Sequence, residues 1–359
     1  MGKIETITPV HIFNGQNFWF IKKENYIYAL DKLIESVSLS SQSLRKLVEI
    51  NNPGQKDFIN ILNFNLNSLE PKDAISMKEL YGKYAFHRGN VFQNTKYFDL
   101  PYIPASSLKG AFINVFWFNF INHNDDVKEY LIKQKDLLKE LKSIDNEIKS
   151  LRKYFIVNDV KFEQEAIIYN VKRYNTTKVL GFNENVETID KELIQFSDIV
   201  KDLNSKERNL LNKLKNNLLN QNREKTILQK AIEELYNYII NFKIIFPKAN
   251  KEYMKKVLIK EQSFIYNARN DKINSNYLKN FYKFLISELE NDKIIMQIGR
   301  YTNYVDKSFS IAFGEFYEKN FKTIFTPIKT KKVSTIETMN LITIDDQGIY
   351  PLGFVKLEF

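Results

Sequence analysis

The spacing of hydrophobic residues changes several times along the chain, and each change predicts a different element. β-Branched residues from Lys3 to Ile12 predict a strand that ends at the turn Asn14-Gly15. A second short strand is predicted at Tyr26–Leu30. From residue 31 to about residue 48, apolar residues recur at spacings of three and four, which indicates a helix. Another helix is predicted from Asp57 to Leu69.

The middle of the chain is dominated by helical patterns. The uncharged run Ala111–Ile121 predicts a buried helix, for which Ser106 or Ser107 is a candidate N-cap. The tract Asp126–Lys153 carries a heptad seam typical of a coiled coil. That seam consists of Leu137, Leu141, Ile144, Ile148 and Leu151. A second tract, Lys191–Phe242, predicts a helix that packs against the first as a hairpin, although polar residues 216–223 could interrupt it.

Strand patterns return between and after these tracts. The alternation in Phe155–Val179 predicts a β segment between the two helical tracts. The pattern beyond Pro247 predicts, in order, strand Leu258–Ile265, helix Ser275–Glu290, strands Ile294–Ile298 and Leu341–Ile344, and a terminal strand in residues 348–359. Strands at both ends of the chain, with helices inserted between them, favour an α+β fold.

Composition narrows the class of protein. The chain has 359 residues, 43% of them hydrophobic and 14% aromatic, so it can build a sizeable core of about two domains. The 53 lysine and arginine residues outnumber the 43 acidic residues, and the net charge is +10. The sequence has no cysteine, which excludes disulfides, thiolate-zinc sites and a cysteine nucleophile. No long apolar run is present, and we expect a soluble, cytoplasmic protein without a membrane partner.

Candidate catalytic residues are scarce. The three histidines, His11, His87 and His123, have no spacing typical of a metal site. The sequence also contains no P-loop, no dinucleotide-binding glycine motif and no nucleophile elbow. The adjacent Asp125 and Asp126 are expected to open a helix, where their charge complements the helix dipole.

Segment 103–111 is the most informative for binding. Pro104 precedes two hydroxyls, Ser106 and Ser107, and Lys109 follows within the first predicted turn. Backbone N–H groups, hydroxyls and an ammonium that meet at one point are suited to a phosphate. Ordinary helix capping by a serine is the alternative explanation for the same pattern.

Two further segments combine features of RNA-binding loops. In segment 298–309, Gly299 is followed by Arg300, Tyr301 and Lys307, which could grip phosphates and stack on bases. The second segment is a basic cluster that could follow a phosphate backbone, formed by Lys329, Lys331 and Lys332. A surface loop or solvated turn with incidental charge remains the alternative for both.

Four separated segments together resemble the signatures of the RAMP superfamily of CRISPR proteins. They are Thr8-Pro9-Val10-His11-Ile12 with Asn14-Gly15, Ile103-Pro104-Ala105-Ser106-Ser107-Leu108-Lys109-Gly110, Ile298-Gly299-Arg300 and Pro351-Leu352-Gly353-Phe354-Val355-Lys356-Leu357. The combination is most similar to the family of fifth subunits of type III-A Csm effector complexes. The resemblance covers the N-terminal third and the C-terminal fifth well, and the central helices poorly. The family usually has glycine where Ala105 stands, and arginine where Ile113 stands.

The resemblance implies two RRM-like (ferredoxin-like) modules with a long helical-hairpin insertion. The modules would occupy residues 1–125 and 247–359. The insertion would occupy residues 126–246 and include an intervening β segment at 155–180. It also implies a non-catalytic RNA-binding subunit, without cofactor or metal, that caps the filament of a type III-A interference complex. Such a subunit would hold the 3′ end of the CRISPR RNA (crRNA) and contribute to crRNA maturation.

The implied partners are crRNA, the backbone RAMP subunit and the other Csm subunits. Asn14, Ser106, Ser107 and Lys109 would contact or brace the guide backbone, and Arg300, Tyr301 and Lys307 would grip its 3′ segment. Binding would be largely independent of sequence, through phosphates, 2′-hydroxyl groups and stacking.

Three other functions stay open at this point. A metal-independent repeat-processing endoribonuclease of the same superfamily would use His11 or His87 as acid or base. A backbone subunit that cleaves target RNA would need a loop aspartate, such as Asp31 or Asp159, and a divalent metal. A structural coiled-coil scaffold would show no salt-dependent affinity for RNA.

Overall fold

The protein is described from a computed structural model that covers a large part of the chain. The described residues are 2–11, 20–23, 26–29, 45–46, 49, 60, 75–76, 102–134, 136–162, 167–188, 193–196, 199–299, 309–314, 316, 338–343 and 349–359. The predicted helices 31–48 and 57–69 therefore lie almost entirely outside the described residues.

A four-stranded antiparallel sheet joins the two ends of the chain. Strand β1 (Gly2–Thr6) lies in the centre and pairs with β13 (Phe354–Glu358) on one side and with β9 (Leu193–Phe196) on the other. Strand β10 (Ile294–Gln297) adds to the outer edge of β13. The predicted strand at 294–298 is thus confirmed, the predicted first strand is confirmed only as far as Thr6, and the sheet order is β10-β13-β1-β9.

Helix α1 (Ala105–His123) forms the centre of the core, as the uncharged run predicts. From Phe112 to Ile121 its buried apolar residues point to nearly every side, which is typical of a helix segment enclosed by other elements. Its buried side chains are Leu108, Phe112, Ile113, Val115, Phe116, Trp117, Phe118, Phe120 and Ile121. The Phe112 ring lies 4.9 Å from Phe246 and 5.1 Å from Phe242, centroid to centroid.

The first helical tract is divided into three pieces. Helix α2 (Asp125–Lys133) begins with the predicted acidic pair, α3 (Leu137–Ile148) begins at the N-cap Asp136, and a 3₁₀ helix covers Leu151–Tyr154. The five residues of the predicted heptad seam are all buried, which confirms its inward orientation.

The second tract, Lys191–Phe242, is only partly helical, so its prediction as one helix is wrong at the start. Phe196 lies in strand β9, and α4 (Ser205–Gln221) begins only after a capping box between Asn204 and Glu207. Helix α5 (Thr226–Ile240) follows the predicted polar interruption. Helix α5 packs against both α3 and α4, so helices of the two tracts are neighbours.

The strand predicted at Leu258–Ile265 is wrong, because this segment belongs to helix α6 (Phe242–Tyr266). Pro247 lies inside α6 and does not end it. The local run of β-branched and aliphatic residues looks strand-like, but buried residues recur at spacings of three and four over the whole helix, for example Phe246, Tyr253 and Val257. Burial of this face outweighs the one backbone hydrogen bond that a proline removes.

Helix α7 (Asn276–Glu290) begins at Ser275, whose hydroxyl accepts a hydrogen bond from the Leu278 N–H at 3.3 Å. The predicted helix is confirmed, and Leu278, Leu285 and Leu289 are among its buried residues. The Phe284 side chain lies toward the surface, since 48% of it is exposed.

A second antiparallel sheet has the order β12-β11-β7-β8. It consists of β7 (Ile167–Asn175), β8 (Val179–Thr188), β11 (Thr338–Thr343) and β12 (Ile349–Pro351). The predicted terminal strand 348–359 is in fact two strands, β12 and β13, which belong to different sheets. Two smaller sheets are formed by β2 (Phe20–Lys23), β3 (Tyr26–Ala29) and β4 (Ile75–Ser76), and by β5 (Tyr102–Ile103) and β6 (Val160–Lys161).

The three predicted regions contribute to one continuous hydrophobic core. Ile4 and Phe112 of region 1–125, Leu235 of region 126–246 and Leu357 of region 247–359 all belong to this cluster. The fold is a mixture of helices and small antiparallel sheets, and the two RRM-like modules and their boundaries stay predictions. Within the described residues, none of the helices combines the length and apolar character needed to cross a bilayer.

Candidate nucleic-acid interface

Three of the sequence motifs meet at one end of the central sheet. The Gly353 N–H donates to the Pro9 carbonyl at 2.9 Å, and the Ile298 N–H donates to the Gly353 carbonyl at 2.8 Å. The Phe354 N–H donates to the Thr8 hydroxyl oxygen at 2.9 Å. Segments that are hundreds of residues apart in sequence therefore form one hydrogen-bonded junction.

Gly353 makes this junction possible. Its φ angle is +88°, a conformation that residues with a side chain rarely adopt. The turn at Leu352-Gly353 lets the chain leave β12 and enter β13, while both backbone groups of Gly353 bond to neighbouring motifs. Gly299, which follows Ile298, also has a positive φ of +103°.

The fourth motif lies at the N-terminus of α1, and its local geometry differs from the prediction. The N-cap is Pro104, and neither Ser106 nor Ser107 caps the helix; both lie inside its first turn. The cap comes instead from Asp159, whose Oδ1 accepts a hydrogen bond from the Ala105 N–H at 2.7 Å. Pairing of β5 with β6 brings Asp159 there, because Ile103 is opposite Val160. The Asp159 carboxylate thus occupies one of the backbone N–H donors that were predicted to bind a phosphate.

Lys109 is directed away from this cap toward the 3₁₀ helix at 151–154. Its Nζ donates to the Arg152 carbonyl at 2.6 Å. The Arg152 guanidinium in turn bonds to the Asp145 carboxylate and to the Asp145 carbonyl, the latter at 3.2 Å. The Trp117 indole donates to the same carboxylate at 3.1 Å. Asp145 therefore fixes both Trp117 and Arg152, which line an opening in the surface.

That opening is a cleft of about 530 Å³ between α1, α3 and two 3₁₀ helices, the one at 151–154 and another at Phe309–Phe313. We call it the α1 cleft. Ser106, Lys109, Gly110, Lys142 and Arg152 provide its polar lining. Ile113, Trp117, Leu141 and Phe309 provide an apolar wall, and the first three of these are at most 7% exposed.

The electrostatics of the α1 cleft favour an anion. Among its described lining residues, Lys109, Lys142 and Arg152 outnumber the one carboxylate, Asp145. Burial, followed by repulsion from Arg152, lowers the pKa of Lys109 below its usual value. The Nε atom of Arg152 is buried and has no hydrogen bond to the described residues, and burial lowers the pKa of Arg152 as well. A negatively charged ligand in the cleft would offset the repulsion between these two cations.

The structure brings only some of the predicted binding residues together. Ser106 and Lys109 line the α1 cleft, and Ser107 is half-buried beside them in the first turn of α1. The other predicted residues lie outside the described ranges, namely Asn14, Arg300, Tyr301, Lys307, Lys329, Lys331 and Lys332. The segment 298–309 is described at its two ends. Gly299 adjoins the motif junction and Phe309 lines the α1 cleft.

The histidines described by the structure lie apart from the cleft lining. His11 is only 8% exposed next to the motif junction, and His123 lies at the end of α1, 3.3 Å from Glu252. His87, like Asp31, lies outside the described residues. Within the described ranges, no group of three or more histidine, aspartate or glutamate side chains is arranged to hold a metal ion.

The sequence did not reveal Arg152, Lys142 and Asp145 as parts of the site. Arg152 directly follows the last residue of the heptad seam, and Lys142 lies on its charged outer side, where solvent exposure was the simplest explanation. Only tertiary packing brings these residues to α1. Phe309 is the last residue of segment 298–309, which the sequence analysis proposed as an RNA-binding loop.

The comparisons with known proteins agree with the motifs. The model of the RAMP superfamily matches residues 3–304. A chain in a cryo-EM structure of a Csm-crRNA-target RNA ternary complex of a type III-A CRISPR-Cas system is similar in fold, with a TM-score of 0.56 and 17% identity over 100% of both chains. The crystal structure of Csm5 from T. onnurineus has a TM-score of 0.50 and 16% identity, over 98% of this chain and 99% of that one. No curated protein matches the sequence.

Proposed function

Because the chain belongs to the RAMP superfamily and resembles Csm subunits in fold, we propose that it is an RNA-binding subunit of a type III-A CRISPR complex. In this role it caps the filament of backbone subunits and holds the 3′ end of the crRNA. Its partners are the crRNA and the neighbouring Csm subunits, and it works in the cytoplasm. It contributes to crRNA maturation by protecting the end that it holds, without cleaving RNA itself.

The α1 cleft is the observation that carries this proposal. It combines three cations with an apolar aromatic wall directly beside the Pro104–Gly110 motif. Cations attract the phosphates of any RNA strand, and aromatic side chains accept any base, so this combination suits binding that does not depend on sequence. The net charge of +10 acts in the same direction at longer range.

A non-catalytic role is favoured over the two nucleases by the described candidate residues. A general acid or base must reach the RNA, whereas His11 is almost completely buried. Asp159, the candidate aspartate of a target-cleaving subunit, is engaged at the N-terminus of α1. His87 and Asp31 lie outside the described residues, so experiments must test both nuclease alternatives.

The experiment measures binding of the full-length protein to fluorescent single-stranded RNA as a function of salt. Reversing two charges, Arg300→Glu with Lys307→Glu, should weaken binding and make the slope of log affinity against log salt shallower by about 0.7 for each phosphate that is no longer neutralised. The matched control reverses two exposed lysines of α4, Lys206→Glu with Lys213→Glu, and should leave that slope nearly unchanged.

The same preparation separates the alternatives. Metal-independent cleavage of repeat RNA that disappears in His11→Ala or His87→Ala would establish the processing nuclease. Cleavage of target RNA that requires a divalent metal would establish the backbone subunit. Binding of RNA without any dependence on salt, or no binding at all, would leave only the structural scaffold.

A further inference from the structure

Resting on the proposed function, we propose that the α1 cleft holds a single nucleotide, the 3′-terminal one of the bound RNA strand. The base would lie against the apolar wall and the phosphate would lie at Lys109, Lys142 and Arg152. The cleft is thus a site for a strand end, distinct in kind from a groove that follows a phosphate backbone.

The apolar wall is suited to a base. Trp117 and Phe309 lie with their ring centroids 6.3 Å apart, and Ile113 and Leu141 line the same cleft. The Trp117 indole N–H already donates to Asp145, so the ring is held in a fixed orientation. Flat apolar surfaces accept the face of any base without reading its identity, which fits an RNA end of variable sequence.

The polar lining is suited to a phosphate. Lys109 Nζ has one hydrogen bond to the described residues, with the Arg152 carbonyl, and an ammonium has three donors. Arg152 is held by Asp145, and its guanidinium adds a fixed positive charge to the lining. Ser106 adds an exposed hydroxyl at the rim. These groups and the apolar wall line the same cleft.

The size of the cleft limits what it can hold. Its volume of about 530 Å³ lies within the range of roughly 300–1,000 Å³ found for pockets that bind one small ligand. Gly110 contributes to this space, because a Cβ atom added there would meet nothing within 4 Å. A run of stacked nucleotides would need an extended groove, so one nucleotide is the natural occupant.

The test uses two RNA hairpins with the same stem and the same single-stranded overhang of ten nucleotides, attached at the 3′ side in one and at the 5′ side in the other. Both carry the same charge, but only the first presents a single-stranded 3′ end. Full-length protein should bind the 3′ overhang about fivefold or more tightly, as expected for one stacked base. Gly110→Leu, which fills the cleft, should remove this preference.

Matched variants keep the result interpretable. Gly110→Ala adds one methyl group in open space and should fold and keep the preference. Lys142→Gln should reduce it, whereas Lys139→Gln, on the same helix but outside the cleft lining, should not. These exposed lysines can be replaced without disturbing the core, so the proposal remains testable if Gly110→Leu fails to fold.

Each outcome decides between explanations. Equal binding of both hairpins by the unaltered protein would overturn the terminal site while leaving the proposed function intact. A preference that survives Gly110→Leu and Lys142→Gln would place the strand end elsewhere and also overturn it. If adenosine monophosphate raised the Tm of the protein while the two hairpins bound equally, the cleft would be a site for free nucleotides and not for a strand end. Absence of binding to either hairpin would contradict the proposed function itself.

Discussion

The two halves of helix α1 differ in their surroundings: one half is packed in the core and the other borders a cleft. From Phe112 to Ile121 the helix is enclosed by aromatic rings, and the Tyr238 hydroxyl donates to the Phe112 carbonyl at 2.8 Å deep in this region. From Ala105 to Gly110 the helix borders the open α1 cleft, where burial lowers the pKa of Lys109 and of Arg152 and where the Arg152 Nε has no hydrogen bond to the described residues. One half is optimised for packing, while the other retains features that lower stability.

The contrast separates residues that stabilise the fold from residues that do not. A buried donor without a partner and two neighbouring cations both cost folding free energy, and apolar residues at the same places would remove that cost. The packed half of α1 shows that this chain builds a dense core where nothing else is required. The first half of α1 therefore carries residues that stability alone does not explain.

The packed half should respond most strongly to substitution. Phe112→Ala removes a ring that contacts Phe155, Phe242 and Phe246, and it should lower the free energy of unfolding by about 3–5 kcal/mol. Urea denaturation followed by circular dichroism measures this change. The control Phe284→Ala, at a ring that is 48% exposed, should stay within about 0.5 kcal/mol of the unaltered protein. If Phe112→Ala lowered the free energy of unfolding by less than about 1 kcal/mol, the claim that this half of α1 is tightly packed would be wrong.

The packed half was also the part that the sequence predicted well. The uncharged run 111–121 needs burial on every side, and the heptad seam in α3 needs an apolar partner, so periodicity alone indicates their environment. Helix α6 shows the limit of this reasoning. Its β-branched residues and Pro247 favour other structures locally, and only contacts with distant elements select the helix.

The cleft half could be predicted only in part, because its geometry depends on residues that are far apart in sequence. The motif at 104–110 signalled a binding site through its residue types. The cap from Asp159 and the position of Arg152 depend instead on strand pairing and helix packing over 54 and 43 residues, respectively. No local pattern encodes these contacts, which is why the predicted serine cap was wrong.

Asp159 offers a sharper test of the cleft half. Asp159→Ala leaves the Ala105 N–H without its acceptor and should lower the free energy of unfolding by about 1 kcal/mol, the usual effect of losing a cap. Asp159→Asn keeps a carbonyl acceptor and should lose about half as much, again measured by urea denaturation. RNA affinity should not fall in either variant, since removal of a negative charge cannot weaken attraction for phosphates. Loss of RNA cleavage in a stable Asp159→Asn protein would instead identify a catalytic aspartate.

The smallest expected effect on stability comes from a substitution at the other end of α1, where Glu234 lies beside the helix C-terminus. The Glu234 Oε1 accepts a hydrogen bond from the Asn124 side chain at 2.7 Å, and Asn124 also donates to the Phe120 carbonyl at 2.8 Å. Burial raises the pKa of Glu234, although the bond to Asn124 and the charges of His123 and Lys230 partly oppose this.

A carboxyl group whose pKa is raised in the folded state destabilises that state at neutral pH, and this penalty disappears as the pH falls through the raised pKa toward that of the unfolded chain. Glu234→Gln keeps the acceptor and removes the charge. It should therefore be slightly more stable than the unaltered protein at pH 7, and the two should converge toward about pH 4. Thermal unfolding at several pH values measures the difference. A variant that is less stable at pH 7 would show that attraction to Lys230 and His123 outweighs burial at this end of the helix.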